Sequence, residues 1–171
     1  MSETFDLALK IVKKLEGRTV ATAESVTAGL VGAALTAVPG ASGVYRGGLI
    51  PYATDLKANL LDIPPFTMSH GPVSGEVVAA MAVNAANLLD ADFGIATTGV
   101  AGPDSQDNHE VGTVYVAVFR RGRAGMDVLS KVAKLQLTSA HADPVAARED
   151  IRSQAVVAAL ELLDAAVPTA E

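Results

Sequence analysis

The stretch Arg18-Thr19-Val20-Ala21-Thr22-Ala23-Glu24-Ser25-Val26-Thr27-Ala28-Gly29 decides the fold. Residues 18–23 read as a strand and residues 27–37 as a helix, so Ser25 falls at a strand-to-helix corner. Such a corner sets a hydroxyl beside the free N–H groups of a helix start, and those donors favour developing negative charge. Two readings follow. Ser25 is a candidate nucleophile, or it is a helix cap of the ordinary Ser/Thr kind.

A second segment bears on the choice. Val44-Tyr45-Arg46-Gly47-Gly48-Leu49-Ile50-Pro51-Tyr52-Ala53-Thr54-Asp55-Leu56-Lys57 reads as a strand running into another helix start. It supplies a phenol and an amine, and a serine hydroxyl attacks an acyl group only when a neighbouring base takes its proton. Lysine serves as that base only when neutral, which requires its pKa to fall from about 10.4. With Thr54 as the cap, Lys57 lies in the first helical turn, where the macrodipole disfavours a cation. The alternative is a solvated surface Lys57 with Tyr52 as a core aromatic.

Five motifs occur in order: Glu24-Ser25-Val26-Thr27-Ala28-Gly29; Tyr45-Arg46-Gly47-Gly48 with Tyr52 and Lys57; His70-Gly71-Pro72-Val73-Ser74; Thr98-Gly99-Val100-Ala101-Gly102-Pro103; and Val111-Gly112-Thr113-Val114-Tyr115. Together they resemble the CinA C-terminal domain family, over nearly the whole chain. Active members of that family are nicotinamide-nucleotide amidohydrolases, which convert nicotinamide mononucleotide to nicotinic acid mononucleotide and ammonia. The resemblance implies Ser25 as nucleophile with Tyr52 and Lys57 activating it. It further implies a substrate pocket lined by residues 97–103, with Thr98, Gly99, Ala101 and Gly102 as binding residues. A plain Gly-Pro turn is the other reading of that segment.

The chain departs from the family pattern at three places. Residues 104–110, Asp-Ser-Gln-Asp-Asn-His-Glu, replace a more glycine-rich loop, which puts the pocket wall and substrate preference in question. Val26 stands where a small or sulfur-bearing residue is frequent, and Ala28 where glycine is usual. Main-chain N–H groups from Thr27, Ala28 or Gly29 could still serve an oxyanion, because a backbone donor does not depend on the side chain. Arg46 and Arg148 are candidate ligands for phosphate or carboxylate. For Arg148, on an amphipathic helix, an ion pair on the solvated face is the favoured alternative. Glu24 either orients Lys57 or closes a salt bridge.

The remaining elements follow from periodicity and punctuation. Residues 3–16 show helical spacing and stop at Gly17; 43–53 read as a strand, 54–61 as a short helix, and 74–89 as a helix capped by Ser74. Residues 93–98 read as a strand, and 113–121 with 126–137 as a hairpin turning at 121–125. Asp143-Pro144 opens a last helix to about 166. This order predicts an α/β fold, a three-layer α/β/α sandwich on a mixed, mostly parallel sheet, and the resemblance implies the same. One domain over residues 1–171 is expected.

Composition bounds the function classes. The chain is 50% hydrophobic and only 4% aromatic, so Ala, Val, Leu and Ile must build the core. A net charge of −6 argues against nucleic-acid binding but not against an anionic small substrate, which needs only local donors. There is no cysteine, and His70, His109 and His141 have no metal-ligand spacing, so neither metal nor cofactor is expected. No signal segment or membrane span is legible, which makes the cytoplasm the expected location. The expected partner is the small-molecule substrate. A homo-oligomer is also expected, from the resemblance and from apolar helical faces over 77–88 and 156–163. The other function class is a catalytically silent relative that binds a nucleotide or a partner protein.

Overall fold

The computed structural model describes residues 2–69, 71–122 and 128–168, with side chains for all of these except 128–130. Helix α1 (Glu3–Lys14) starts where the Ser2 hydroxyl accepts the Phe5 N–H, and it buries Ala8, Ile11 and Val12 on one stripe. Strand β1 (Val20–Glu24) is buried along its whole length. There follow α2 (Leu30–Thr36), a 3₁₀ turn (Ala41–Gly43), β2 (Tyr45–Leu49), α3 (Thr54–Leu61) and α4 (Gly75–Leu88). The chain continues through β3 (Phe93–Gly99), β4 (Thr113–Arg120), β5 (Val128–Gln136) and α5 (Pro144–Ala166).

The strands form one sheet in the order β2-β1-β3-β4-β5. β1 runs parallel to both β2 and β3, whereas β3/β4 and β4/β5 are antiparallel. The expectation of a mostly parallel sheet is therefore corrected: the sheet is mixed, with two pairings of each kind and the longer ladders antiparallel. The reason is connectivity. Among the described residues no helix intervenes between β3 and β4 or between β4 and β5, and strands joined without a crossover return antiparallel.

Helices cover both faces, as a three-layer α/β/α sandwich requires. Successive residues of a strand point to opposite faces, so Ile95, Val116 and Val118 meet α1, α2 and α5 through Ile11, Leu35 and Leu160. Ala96, Ala117 and Phe119 instead meet α4 through Val78, Met81 and Ala82. The approach of α4 is close: a Cβ on Gly94 would stand 1.9 Å from the Ala82 carbonyl oxygen. Of the apolar faces over 77–88 and 156–163, Val77, Met81, Ala85, Ala159 and Leu163 are fully buried in this packing, whereas Leu88 is exposed.

Two boundaries moved for identifiable reasons. The helix expected from residue 27 begins at Leu30, because Ala28 and Gly29 take left-handed backbone at φ 49° and 97°. The strand expected over 43–53 shortens to β2, since Pro51 lacks the N–H a ladder needs. Most of the turn expected over 121–125 lies outside the described residues, as does His70. No helix among the described residues is long and apolar enough to cross a membrane.

Candidate active site

β1 is the switch point of the sheet: the chain leaves it toward β2 on one side and later returns to place β3 on the other. Ligands in open α/β sheets bind in the crevice beyond the carboxyl ends of the strands at such a point. Here that crevice is an open cleft lined among others by Ser25, Val26, Tyr52, Lys57, Thr98 and Arg148. Ser25 is the first residue past β1, and its N–H extends the ladder by donating to the Thr97 carbonyl at 2.9 Å.

Ser25 does not cap α2. That task falls to Glu24, whose buried carboxylate accepts the N–H groups of Gly29, Val31 and Gly32 at 2.9–3.0 Å and the Thr27 hydroxyl at 2.7 Å. Both sequence readings of Glu24 are thereby corrected, for it neither orients Lys57 nor closes a salt bridge. Its negative charge meets the positive end of a helix, so the serine is left free at the cleft.

Lys57 is 2% exposed, and its Nζ lies 3.3 Å from Ser25 Oγ while donating to the Pro51 carbonyl at 3.2 Å. It sits in the first turn of α3 as expected, although the cap is Ala53, with no side-chain bond, and Thr54 is the first helical residue. Burial pushes the Lys57 pKa down, opposed by the negative charge of Asp107. Lys57 forms no ion pair among the described residues, so burial is not offset by a contacting carboxylate.

Tyr52 lines the same cleft but is 56% exposed. Its hydroxyl accepts from Arg148 at 2.9 Å and shares no hydrogen bond with Ser25 or Lys57. The structure thus joins Ser25 and Lys57 directly and sets Tyr52 aside. Arg148, for which an ion pair was favoured, has none among the described residues; its guanidinium spans Tyr52 and the Gly102 carbonyl.

Thr98, Gly99, Ala101 and Gly102 all line the cleft. The Thr98 hydroxyl is occupied by the Pro72 carbonyl at 3.0 Å, so this segment offers mainly backbone to a ligand. Thr27, Ala28, Gly29 and Arg46, expected to bind substrate, do not line it. The Thr27 hydroxyl bonds Glu24 and Thr97, the Gly29 N–H is spent on Glu24, and Arg46 donates to the Leu89 carbonyl from an exposed position on β2.

Sequence reasoning missed Val26, Thr54, Pro72 and Val73 as lining residues and gave no role to Arg152, whereas Asp104 and Gln106 belong to the loop read as pocket wall. Arg152 donates to the carbonyls of Val26 and Thr27, and its place four residues after Arg148 on one helix was the available signal. The altered loop keeps a tight geometry. Gln106 and His109 exchange two backbone hydrogen bonds around Asp107 and Asn108, both left-handed at φ 51° and 62°. This is a two-residue type I′ turn, and Asp and Asn tolerate there the conformation glycine would take.

The family model of the CinA C-terminal domain matches residues 4–167. The CinA-like protein of Frankia casuarinae is 41% identical over 147 residues, which cover 85% of this chain and 31% of that protein's length. Among solved structures, the competence/damage inducible protein CihA of Agrobacterium tumefaciens is 31% identical, with a TM-score of 0.83 over 96% of both chains. The competence or damage-inducible protein of Enterobacter asburiae is 28% identical, with a TM-score of 0.85 over 98% of this chain and 100% of that one. By sequence, fold and extent of match, this chain belongs to the CinA C-terminal domain family.

Proposed function

We propose that the cleft hydrolyses the ring amide of nicotinamide mononucleotide, giving nicotinic acid mononucleotide and ammonia. The observation that carries this reading is the contact between Ser25 Oγ and a buried Lys57 amine that forms no ion pair among the described residues. A neutral amine accepts the serine proton while still donating to Pro51, so the dyad is held in a productive orientation. Ser25 Oγ attacks the amide carbon as its proton passes to Lys57. The tetrahedral intermediate then collapses, Lys57 returns the proton to the departing nitrogen, and ammonia leaves an acyl-enzyme. Water, deprotonated by Lys57, attacks that ester, and the acid departs as the proton returns to Ser25.

The electrostatics favour an anionic substrate despite the net charge of −6. Arg148, which lines the cleft and has no ion pair among the described residues, supplies the positive charge there, and it is the group to meet a phosphate. Incubation with nicotinamide mononucleotide, followed by parallel measurement of ammonia and of the acid product, tests the proposal. Stoichiometric release of both, lost in Ser25→Ala, is expected. Tight binding without turnover would instead favour a silent nucleotide-binding relative.

A further inference from the structure

The turn after Ser25 is gripped from two sides. Glu24 takes the N–H groups of Gly29, Val31 and Gly32, and Arg152 takes the neighbouring carbonyls, Nε to Val26 and Nη2 to Thr27, each at 3.1 Å. In a planar trans peptide the N–H points opposite to the preceding C=O. Holding the Val26 carbonyl on Arg152, and the Thr27 carbonyl on Arg152 together with the Leu30 N–H at 3.2 Å, therefore turns the N–H groups of Thr27 and Ala28 away from Arg152. Neither N–H has a hydrogen-bond partner among the described residues, although Thr27 is completely buried. Thr27 and Ala28 do not line the cleft themselves but directly follow Ser25 and Val26, which do, and an unpaired N–H in a fully buried residue such as Thr27 is rare and calls for an acceptor.

We propose that Arg152 is a positioning residue: by fixing the Val26 and Thr27 carbonyls it presents the Thr27 and Ala28 N–H groups to the oxyanion that forms on attack by Ser25. Arg152 makes no hydrogen bond to Ser25 or Lys57, so it acts through the turn. The fork geometry matters, since a guanidinium reaches two carbonyls at once and an ammonium on a flexible stem does not hold both in plane. The inference shares its nucleophile with the amidohydrolase reading but does not depend on the substrate named there.

The test separates the two by using a fluorophosphonate probe beside nicotinamide mononucleotide. Ser25 Oγ bonds to phosphorus as the P–F bond breaks, fluoride leaves, Lys57 takes the serine proton, and the phosphonyl oxygen occupies the oxyanion position. Wild type, Arg152→Met and Arg152→Lys are compared for labelling rate, kcat, KM and melting temperature, with Ser25→Ala as the unlabelled control. Loss of an oxyanion donor costs on the order of 10²-fold in rate, so Arg152→Met should label about 100-fold more slowly and lose kcat in proportion, with KM within about threefold. Arg152→Lys should fall between, and it carries the test if the Met variant does not fold.

A folded Arg152→Met that labels within about threefold of wild type overturns the proposal, because loss of an oxyanion donor costs far more. So does a loss confined to KM. A wild type that labels but leaves nicotinamide mononucleotide untouched refutes the substrate, while the labelling ratio still decides on Arg152. Failure of wild-type Ser25 to label at all overturns the oxyanion site.

Discussion

The amine of Lys57 reaches Ser25 Oγ at 3.3 Å from a position that is almost fully buried, and the carboxylate nearest in sequence to the serine, Glu24, is turned away to cap α2. This division keeps a negative charge out of contact with the amine. A carboxylate touching Lys57 would hold it protonated and remove it as a base.

Ser25→Ala should abolish amide hydrolysis and leave the fold intact. The hydroxyl caps no helix, so its removal costs no cap, and only its contact with Lys57 is lost. A melting temperature near that of wild type with no detectable ammonia is expected. Turnover at near wild-type rate by the folded variant would remove Ser25 from the mechanism.

Lys57→Met should stabilise the protein while inactivating it. The native pKa of Lys57 is lowered, so between that value and the unfolded value of about 10.4 the unfolded chain binds a proton the native state does not. Stability of the wild type accordingly rises with pH across this window. The Met variant lacks the penalty, and its advantage should be largest below the native pKa and shrink toward about pH 10.4. Denaturant titrations at several pH values check the trend, and an advantage that grows with pH would contradict it. Lys57→Arg, which cannot shed its proton in the working range, should be nearly as inactive as Lys57→Ala.

How much of this was legible in the sequence can be argued residue by residue. The βα corner and the Ser25/Lys57 pair were, because a strand, a helix start and the spacing of Thr54 to Lys57 are local properties that the ordered motifs reinforce. Lys57 held its first-turn position even though the cap is Ala53 rather than Thr54. The role of Glu24 was not legible, since a carboxylate that reaches forward to caps at positions 29, 31 and 32 depends on the left-handed turn at Ala28 and Gly29. Nor was the placement of Arg46, which follows from strand parity: Tyr45 turns inward to meet Thr22, so Arg46 points out. Arg148 and Arg152 are remote in sequence from everything they touch.

Glu24→Ala should be among the most destabilising single changes. It strands three N–H groups in or near the core, the Thr27 hydroxyl keeping its bond to Thr97, and a buried unsatisfied group costs about 1–3 kcal/mol. A loss of at least about 3 kcal/mol is expected, a large share of the 5–15 kcal/mol typical of a domain of this size. A loss below about 1 kcal/mol in chemical denaturation would show that water or a rearranged turn satisfies those donors.

Ala28→Gly should act in the opposite direction. Ala28 holds φ 49°, a left-handed conformation that costs an L-residue roughly 1–2 kcal/mol and glycine little. Part of that gain is returned as unfolded-state entropy, so a net stabilisation of up to about 1 kcal/mol is expected. A destabilised Ala28→Gly would mean that the Ala28 methyl packs more productively than its half-buried position suggests.

The Asp107 carboxylate opposes the effect of burial on Lys57 and should set the pH at which the proposed hydrolysis begins. Its negative charge favours the ammonium form, so it holds the Lys57 pKa higher than burial alone would. If neutral Lys57 is the base, kcat/KM rises with pH as the amine loses its proton. Asp107→Asn removes the charge and retains a residue that tolerates the left-handed φ of 51°, so the turn with Asn108 survives. The rising limb should then move to lower pH. Salt supplies an independent check, because Asp107 is exposed and a charge in that setting is screened within about 8–10 Å at 0.1–0.15 M. Raising ionic strength should shift the wild-type limb in the same direction and leave Asp107→Asn less affected. A limb that stays in place in the variant, or moves to higher pH, would show that Lys57 does not titrate as the base.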